Sequence, residues 1–111
     1  MEYRKISDDY SVSGQITAAD VATIRAAGFK SIIGNRPDSE DGVVPHEEIE
    51  KAARAAGLDF RFIPVVSGQI TQENVEDQAR ALDELEGPVF AYCRSGARCT
   101  NLYMLIQQAR G

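Results

Sequence analysis

Val89-Phe90-Ala91-Tyr92-Cys93-Arg94-Ser95-Gly96-Ala97-Arg98 is the stretch that decides the fold. Its first four residues form an apolar run that reads as a buried strand. Leu102, Leu105, Ile106 and Ala109 then recur at a helical period. A cysteine therefore stands in a strand-to-helix turn, where backbone N–H groups and the positive end of the helix dipole converge on the sulfur. Such a setting favours an anion and lowers a thiol pKa from about 8.5 toward the range of reactive cysteines. Cys93 is thus the candidate nucleophile. Gly96 gives the turn its conformational freedom, Arg94 and Arg98 add charge, and one guanidinium can make a planar two-point contact with an oxyanion.

Working upstream, Glu86-Gly87-Pro88 turns the chain into the cysteine strand, and Thr71 caps a helix whose apolar face is Val75, Ala79, Leu82 and Leu85. Leu58 to Val65 reads as a strand. Pro45 opens a helix that runs to Ala56 and stops at Gly57. Phe29 to Ile33 reads as a core strand followed by the polar loop Asn35 to Gly42, and Thr17 with Asp20 starts a helix ended by Gly28. The chain begins with a hairpin, Tyr3 to Ile6 against Tyr10 to Val12. Strands alternating with helices after a hairpin predict an α/β fold: three layers, with a mainly parallel central sheet of about four or five strands. Ligands of such sheets bind beyond the strands' C-terminal ends, which selects residues 34–42, residues 66–70 and the cysteine loop.

Length and composition bound the chemistry. The 111 residues predict one domain, 1–111, able to build a core without disulfides or metals. A net charge of -5 argues against nucleic acid or an anionic membrane as the partner, so anion specificity must be local. No stretch has the length of a membrane span and the first residues lack a signal-peptide core, so the expected location is the cytoplasm. A single histidine, His46, leaves a zinc site short of ligands; no metal and no cofactor is expected. His46 itself lies among Glu47, Glu48 and Glu50 and is read as a surface residue.

One hexapeptide occurs twice: Val12-Ser13-Gly14-Gln15-Ile16-Thr17 and Val66-Ser67-Gly68-Gln69-Ile70-Thr71. Either the same turn-and-cap solution was used twice, or Ser67 and Gln69, from the copy nearer the cysteine loop, line the pocket. Cys99 also has two readings, as a partner thiol for Cys93 or as a small residue in the first helical turn. Thr100 offers a hydroxyl or simply supports the helix start. Arg36 and Asp38 form either a substrate-side charge pair or a solvated turn. Tyr92 and Tyr103 are read as packing residues.

These residues resemble the cysteine-dependent phosphatases and rhodaneses, and specifically the beta-lactamase-hydrolase-like phosphatase-like domain family. The matching segments are Val12 to Gln15, Asn35 to Asp38, Ile63-Pro64-Val65 and Tyr92 to Thr100. The resemblance implies a dual-specificity-phosphatase-like fold, with Cys93 and Arg98 catalytic and Arg94, Ser95, Gly96, Ala97 and Cys99 forming the anion-binding loop. It also implies a link to persulfide dioxygenases, as part of a longer chain or as a partner. Two departures from phosphatases stand out. Four residues separate Cys93 from Arg98 where such phosphatases have five, which resembles the rhodanese persulfide loop. Ser67 stands where they carry an aspartic general acid. The expected activity is therefore sulfur transfer from thiosulfate or glutathione persulfide to a thiol acceptor through a Cys93 persulfide. A tyrosine or dual-specificity phosphatase is the alternative, with Asp38, Glu40 or Asp41 as substitute acids. A non-catalytic sulfur carrier or regulatory domain is a third reading.

Overall fold

The computed structural model describes residues 1–111. Five four-residue strands, β1 (Arg4–Ser7), β2 (Tyr10–Ser13), β3 (Ser31–Gly34), β4 (Asp59–Phe62) and β5 (Val89–Tyr92), form one sheet in the order β1-β2-β5-β3-β4. β1 and β2 are the expected antiparallel hairpin, and every other pairing is parallel. The strand that feeds Cys93 is thus central. Its neighbours β2, β3 and β5 itself are buried along their whole length, as the apolar run required. Arg4 and Lys5 keep the β1 edge charged and exposed, which discourages pairing with another chain.

Alternation along the strands divides the core into two layers. On one face Ile32, Phe60, Phe90 and Tyr92 pack with Val21 and Ile24 of α1 (Asp20–Ala26) and Ile49 and Ala53 of α2 (His46–Ala55). On the other, Val12, Ile33, Val89 and Ala91 pack with Ala81 and Leu85 around α3 (Gln72–Glu84) and with Cys99 of α4 (Ala97–Ala109). Burying these side chains contributes about 1.5–3 kcal/mol for each large one. The expected three-layer architecture is the observed one.

One cap matches its sequence signal and one is shifted, since α1 begins at Asp20 behind Ala19, which makes no side-chain cap. Thr71 and Asn74 form a reciprocal capping box, with bonds of 3.0 and 2.9 Å, and Asp20 accepts hydrogen bonds from the Thr17 amide and hydroxyl. Two helix faces differ from expectation. In α4 the buried residues are Arg98, Cys99, Leu102 and Ile106, while Leu105 and Ala109 face solvent. The first turn is pinned at the cysteine loop, and that rotation carries Leu105 off the sheet. In α3 the deepest residues are Gln78 and Ala81, with Val75, Ala79 and Leu82 only half-buried. A glutamine is tolerated there because its amide is fully bonded to Asn35 and Tyr10.

Candidate active site

Register brings the site together. Ser13 of β2 and Gly34 of β3 both pair with Tyr92, so the segments leaving all three strands emerge side by side. The Cys93 amide donates to the Ser13 carbonyl at 3.2 Å, and the Gln15 amide to that of Arg94 at 3.4 Å. Gly14 is required by space: a Cβ there would lie 2.7 Å from the Arg94 carbonyl oxygen. Gly96 is required by conformation, since it opens α4 with φ of 92°.

Cys93 is buried and free, and the Gly96 amide donates to its Sγ at 3.1 Å. Its pKa is brought down to about 5. The largest cause is the neighbouring Cys99 thiol, whose hydrogen stabilises the thiolate. Burial opposes, and the backbone amides of Cys99, Ser95 and Arg98 add to the lowering. Cys99 moves the other way: burial and the adjacent Cys93 charge push it well above the ordinary thiol value. The pair is therefore one thiolate and one thiol. Cys99 is buried in the first turn of α4, neither cysteine is in a disulfide, and the Cys99 backbone carbonyl accepts from the Tyr10 hydroxyl at 2.8 Å.

Arg98 is a brace. Nη1 and Nη2 make a two-point contact with Glu40, at 2.6 and 3.0 Å, and Nη1 also reaches the Val65 carbonyl at 2.8 Å. Glu40 bridges back to Arg36 Nε at 2.9 Å; Arg36 then bonds Gln15 Oε1 at 3.0 Å and the Asp41 carbonyl at 2.6 Å. The contact with Arg98, reinforced by Arg36, holds the Glu40 carboxyl below its usual range against the opposing effect of burial. Arg36 and Asp38 do not pair with each other. Arg36 is buried yet lines the cleft, whereas Asp38 stands exposed in the turn, where it accepts from the His46 amide at 2.9 Å and lies 2.6 Å from His46 Nδ1. The expectation for His46 is corrected too: it is half-buried and stacks on Phe62 with ring centroids 3.7 Å apart. Burial raises the Asp38 pKa, but the His46 hydrogen bonds outweigh it and keep the group ionised.

A polar cleft of about 360 Å³ opens beside the loop, lined by Arg36, Glu40, Asp41, Ser67, Arg94 and Arg98. Ser67 is in it; Gln69 is not, and stands exposed in a turn closed by its own amide to the Val66 carbonyl. Thr100 bonds the Gly96 carbonyl at 2.9 Å, supporting the helix start. Ser95 Oγ accepts from the Ala97 amide at 3.3 Å, and Ala97 faces solvent. Of the suggested substitute acids, Glu40 and Asp38 are held ionised by their partners, which leaves Asp41 on the cleft wall. Tyr92 packs over Gly34, and Tyr103 stacks on Tyr10 at 4.5 Å.

The sequence reading missed Gln15 and a buried chain beneath the site, in which Asn35, Gln78 and Tyr10 bond in series to the Cys99 carbonyl. A polar residue on the inner face of α3 was the available signal for Gln78. Gln15 was marked only as part of the repeated hexapeptide and of the matching segment Val12 to Gln15; its bond to Arg36 was not legible, because strand order is not written in the turn.

The phosphatase-like domain model of beta-lactamase hydrolase-like proteins matches residues 2–110. A beta-lactamase hydrolase-like protein of Agrobacterium fabrum is 42% identical across 100% of this chain, and one of Xylella fastidiosa is 35% identical across 100% of it. In both cases the chain spans only 26% of the relative's length. Among solved structures, a proposed phosphatase of Neisseria meningitidis superposes with a TM-score of 0.87 at 34% identity, covering 97% of this chain and 78% of that one. The catalytic core of a yeast inositol pyrophosphate phosphatase gives 0.67 at 12% identity, over 85% and 56% of the two chains, which shows a shared fold alone. These likenesses favour the phosphatase alternative over the sulfur-transfer expectation, for which they offer no support. The extent of the family match leaves one identification: the chain belongs to the phosphatase-like domain family of beta-lactamase hydrolase-like proteins.

Proposed function

We propose that this domain is a cysteine-dependent group-transfer enzyme working through a covalent Cys93 intermediate, and that the transferred group is sulfane sulfur. One observation supports the choice: the cleft wall presents Ser67 at the position where the phosphatases it resembles carry their acid, Glu40 and Asp38 are held as carboxylates, and Asp41 is the one acid that remains on the wall as a substitute. Loss of a general acid costs about 10²–10⁴ in rate when the leaving group is basic. Sulfite and thiolates leave without a proton.

In the proposed reaction the Cys93 thiolate attacks the outer sulfur of thiosulfate. A Cys93–sulfur bond forms, the sulfur–sulfur bond of the donor breaks, and its electron pair departs with sulfite. A persulfide donor reacts in the same way and releases its thiolate. The amides of Ser95, Gly96, Arg98 and Cys99, which already stabilise the thiolate, are the groups that would hold the terminal persulfide charge. An acceptor thiolate takes that sulfur and regenerates Cys93. Arg98, bonded to Glu40 and the Val65 carbonyl, braces the loop from the cleft wall. A persulfide dioxygenase, joined to the domain or separate, is the proposed partner.

Phosphate-ester hydrolysis through a Cys93 phosphocysteine is the second reading, favoured by the family and by the Neisseria structure. With Ser67 in place it would be confined to esters with weakly basic leaving groups. Thiosulfate and phosphotyrosine turnover measured side by side for wild type, Cys93→Ser and Cys93→Ala separates the readings. Sulfur transfer predicts thiocyanate formation from thiosulfate and cyanide, a Cys93 persulfide by mass spectrometry, and neither with the variants. Rapid phosphotyrosine hydrolysis without a persulfide would establish the second reading. Undiminished function of Cys93→Ala in the host would replace both with a binding role.

A further inference from the structure

Seven of the twelve lysine and arginine side chains are engaged in ion pairs with acidic residues. Of the five that are not, two border the cysteine loop. Arg94 lines the cleft described above. Arg4 comes from the opposite side: its Nη2 is 3.5 Å from the position a Cβ on Gly96 would take. Arg4 helps line a second cleft, of about 400 Å³, with Glu2, Tyr3, Val12, Ser13, Gly14 and Ser95. The loop thus separates two clefts, each with one unpaired arginine: Arg94, itself an exposed residue of the loop, in the first, and Arg4, beside the exposed loop residue Ser95, in the second.

That placement is unexpected for a β1 edge position. The adjacent Lys5 finds Asp8 at 3.0 Å, whereas Arg4, opposite Val12 in the sheet, reaches Gly96, the residue before α4, and finds no carboxylate within ion-pair distance. Glu2 is the only acidic residue on the walls of that cleft. In a chain of net charge -5 the overall field repels anions, so a local guanidinium with free donors is what an anionic ligand would meet near the site.

We propose that Arg4 forms a second anion subsite, across the cysteine loop from Arg94, which holds a carboxylate of the thiol acceptor and makes the enzyme selective for acidic thiols. Arg4 is a specificity-determining residue and takes no part in bond making. The assignment of the ligand as an acceptor rests on the sulfur-transfer reading; the subsite itself rests on the placement of Arg4. Two arms keep the failures apart.

The first arm is alkylation of Cys93 at pH 7 by iodoacetate and by neutral iodoacetamide, followed by peptide mass analysis in wild type, Arg4→Gln and Arg4→Lys. The subsite predicts that Arg4→Gln lowers the iodoacetate-to-iodoacetamide rate ratio about three- to fivefold, the scale of one exposed ion pair, and that Arg4→Lys largely keeps it. An unchanged ratio, or equal slowing of both reagents, overturns the proposal, the latter by making Arg4 a support for the loop. The second arm is the acceptor KM for glutathione against 2-mercaptoethanol. Arg4→Gln is expected to raise the first by a similar factor and leave the second and the persulfide-forming step unchanged; parallel changes for the two thiols overturn the acceptor assignment. A wild type that moves no sulfur but passes the first arm overturns the acceptor assignment and the sulfur-transfer reading, and keeps the anion subsite.

Discussion

Residues 12–17 and 66–71 have the same six-residue sequence and opposite fates. The first copy is built into the site: Ser13 receives the Cys93 amide, Gly14 lies under the Arg94 carbonyl, Gln15 holds Arg36, and Ile16 is buried in the core. The second copy stands at the rim. Val66 is 52% exposed, Gly68 has φ of 76° with nothing near it, and Gln69 points to solvent. Only Ser67 meets the cleft. Even the two threonines differ: Thr71 caps α3 through its own side chain, whereas Thr17 donates to Asp20. Position beside β5 and its loop makes the difference, since β2 pairs with β5 and places its turn against the cysteine loop.

The largest expected effect comes from changing the rim copy so that it acts on chemistry. Ser67→Asp supplies the absent acid and is expected to raise hydrolysis of phenol-type phosphate esters by about 10²–10⁴, with sulfur transfer unaffected; steady-state kinetics on both substrates checks this. An unchanged phosphatase rate would mean that the rim loop does not face the reacting group.

The two glycines separate space from conformation. Gly14→Ala drives a methyl into backbone that cannot swing aside, costing about 1–3 kcal/mol and about tenfold in activity through displacement of the loop. Gly68→Ala costs about 1–2 kcal/mol from its left-handed backbone, with full activity per folded molecule. Thermal unfolding together with active-site titration distinguishes them.

The pH dependence of Cys93 alkylation sharpens the contrast. In wild type the rate is expected to rise through pH about 5, because the thiolate is the reactive form. Cys99→Ala removes the largest stabilising contact and shifts that midpoint upward, and Gly14→Ala does the same by loosening the loop, whereas Gly68→Ala leaves it in place. The same depression contributes stability that is fully present above the ordinary thiol pKa of about 8.5 and is lost as pH falls through about 5. Cys93→Ser is expected to flatten that part of the stability profile in chemical denaturation.

The smallest effect is at the glutamines. Gln15→Ala leaves one Arg36 donor without its partner and costs about 1 kcal/mol; Gln69→Ala stays within about 0.5 kcal/mol. Equal values for the two would erase the distinction between an embedded copy and a rim copy.

Much of this molecule could be read directly from its residues. The apolar run before Cys93, the caps at Thr71 and Asp20 and the glycine stops define elements because their causes are local: backbone dihedrals, orphaned amides and the periods of strand and helix. The candidate nucleophile Cys93 was legible for the same reason, since a cysteine between a strand and a helix meets amides wherever the sheet lies. Three features depended on the tertiary structure. Strand order decided which copy of the hexapeptide embraces the loop. The orientation of α4 buried Cys99 in the same core layer as Cys93 and sent Leu105 outward. Packing of one loop against the first turns of α4 and α2 joined Glu40 to Arg98, 58 residues apart, and left Asp38 to His46. Partners chosen across the sheet depend on distances that no single segment specifies, so a charge or an amide in the sequence shows that a bond must be made, and only the fold shows with whom.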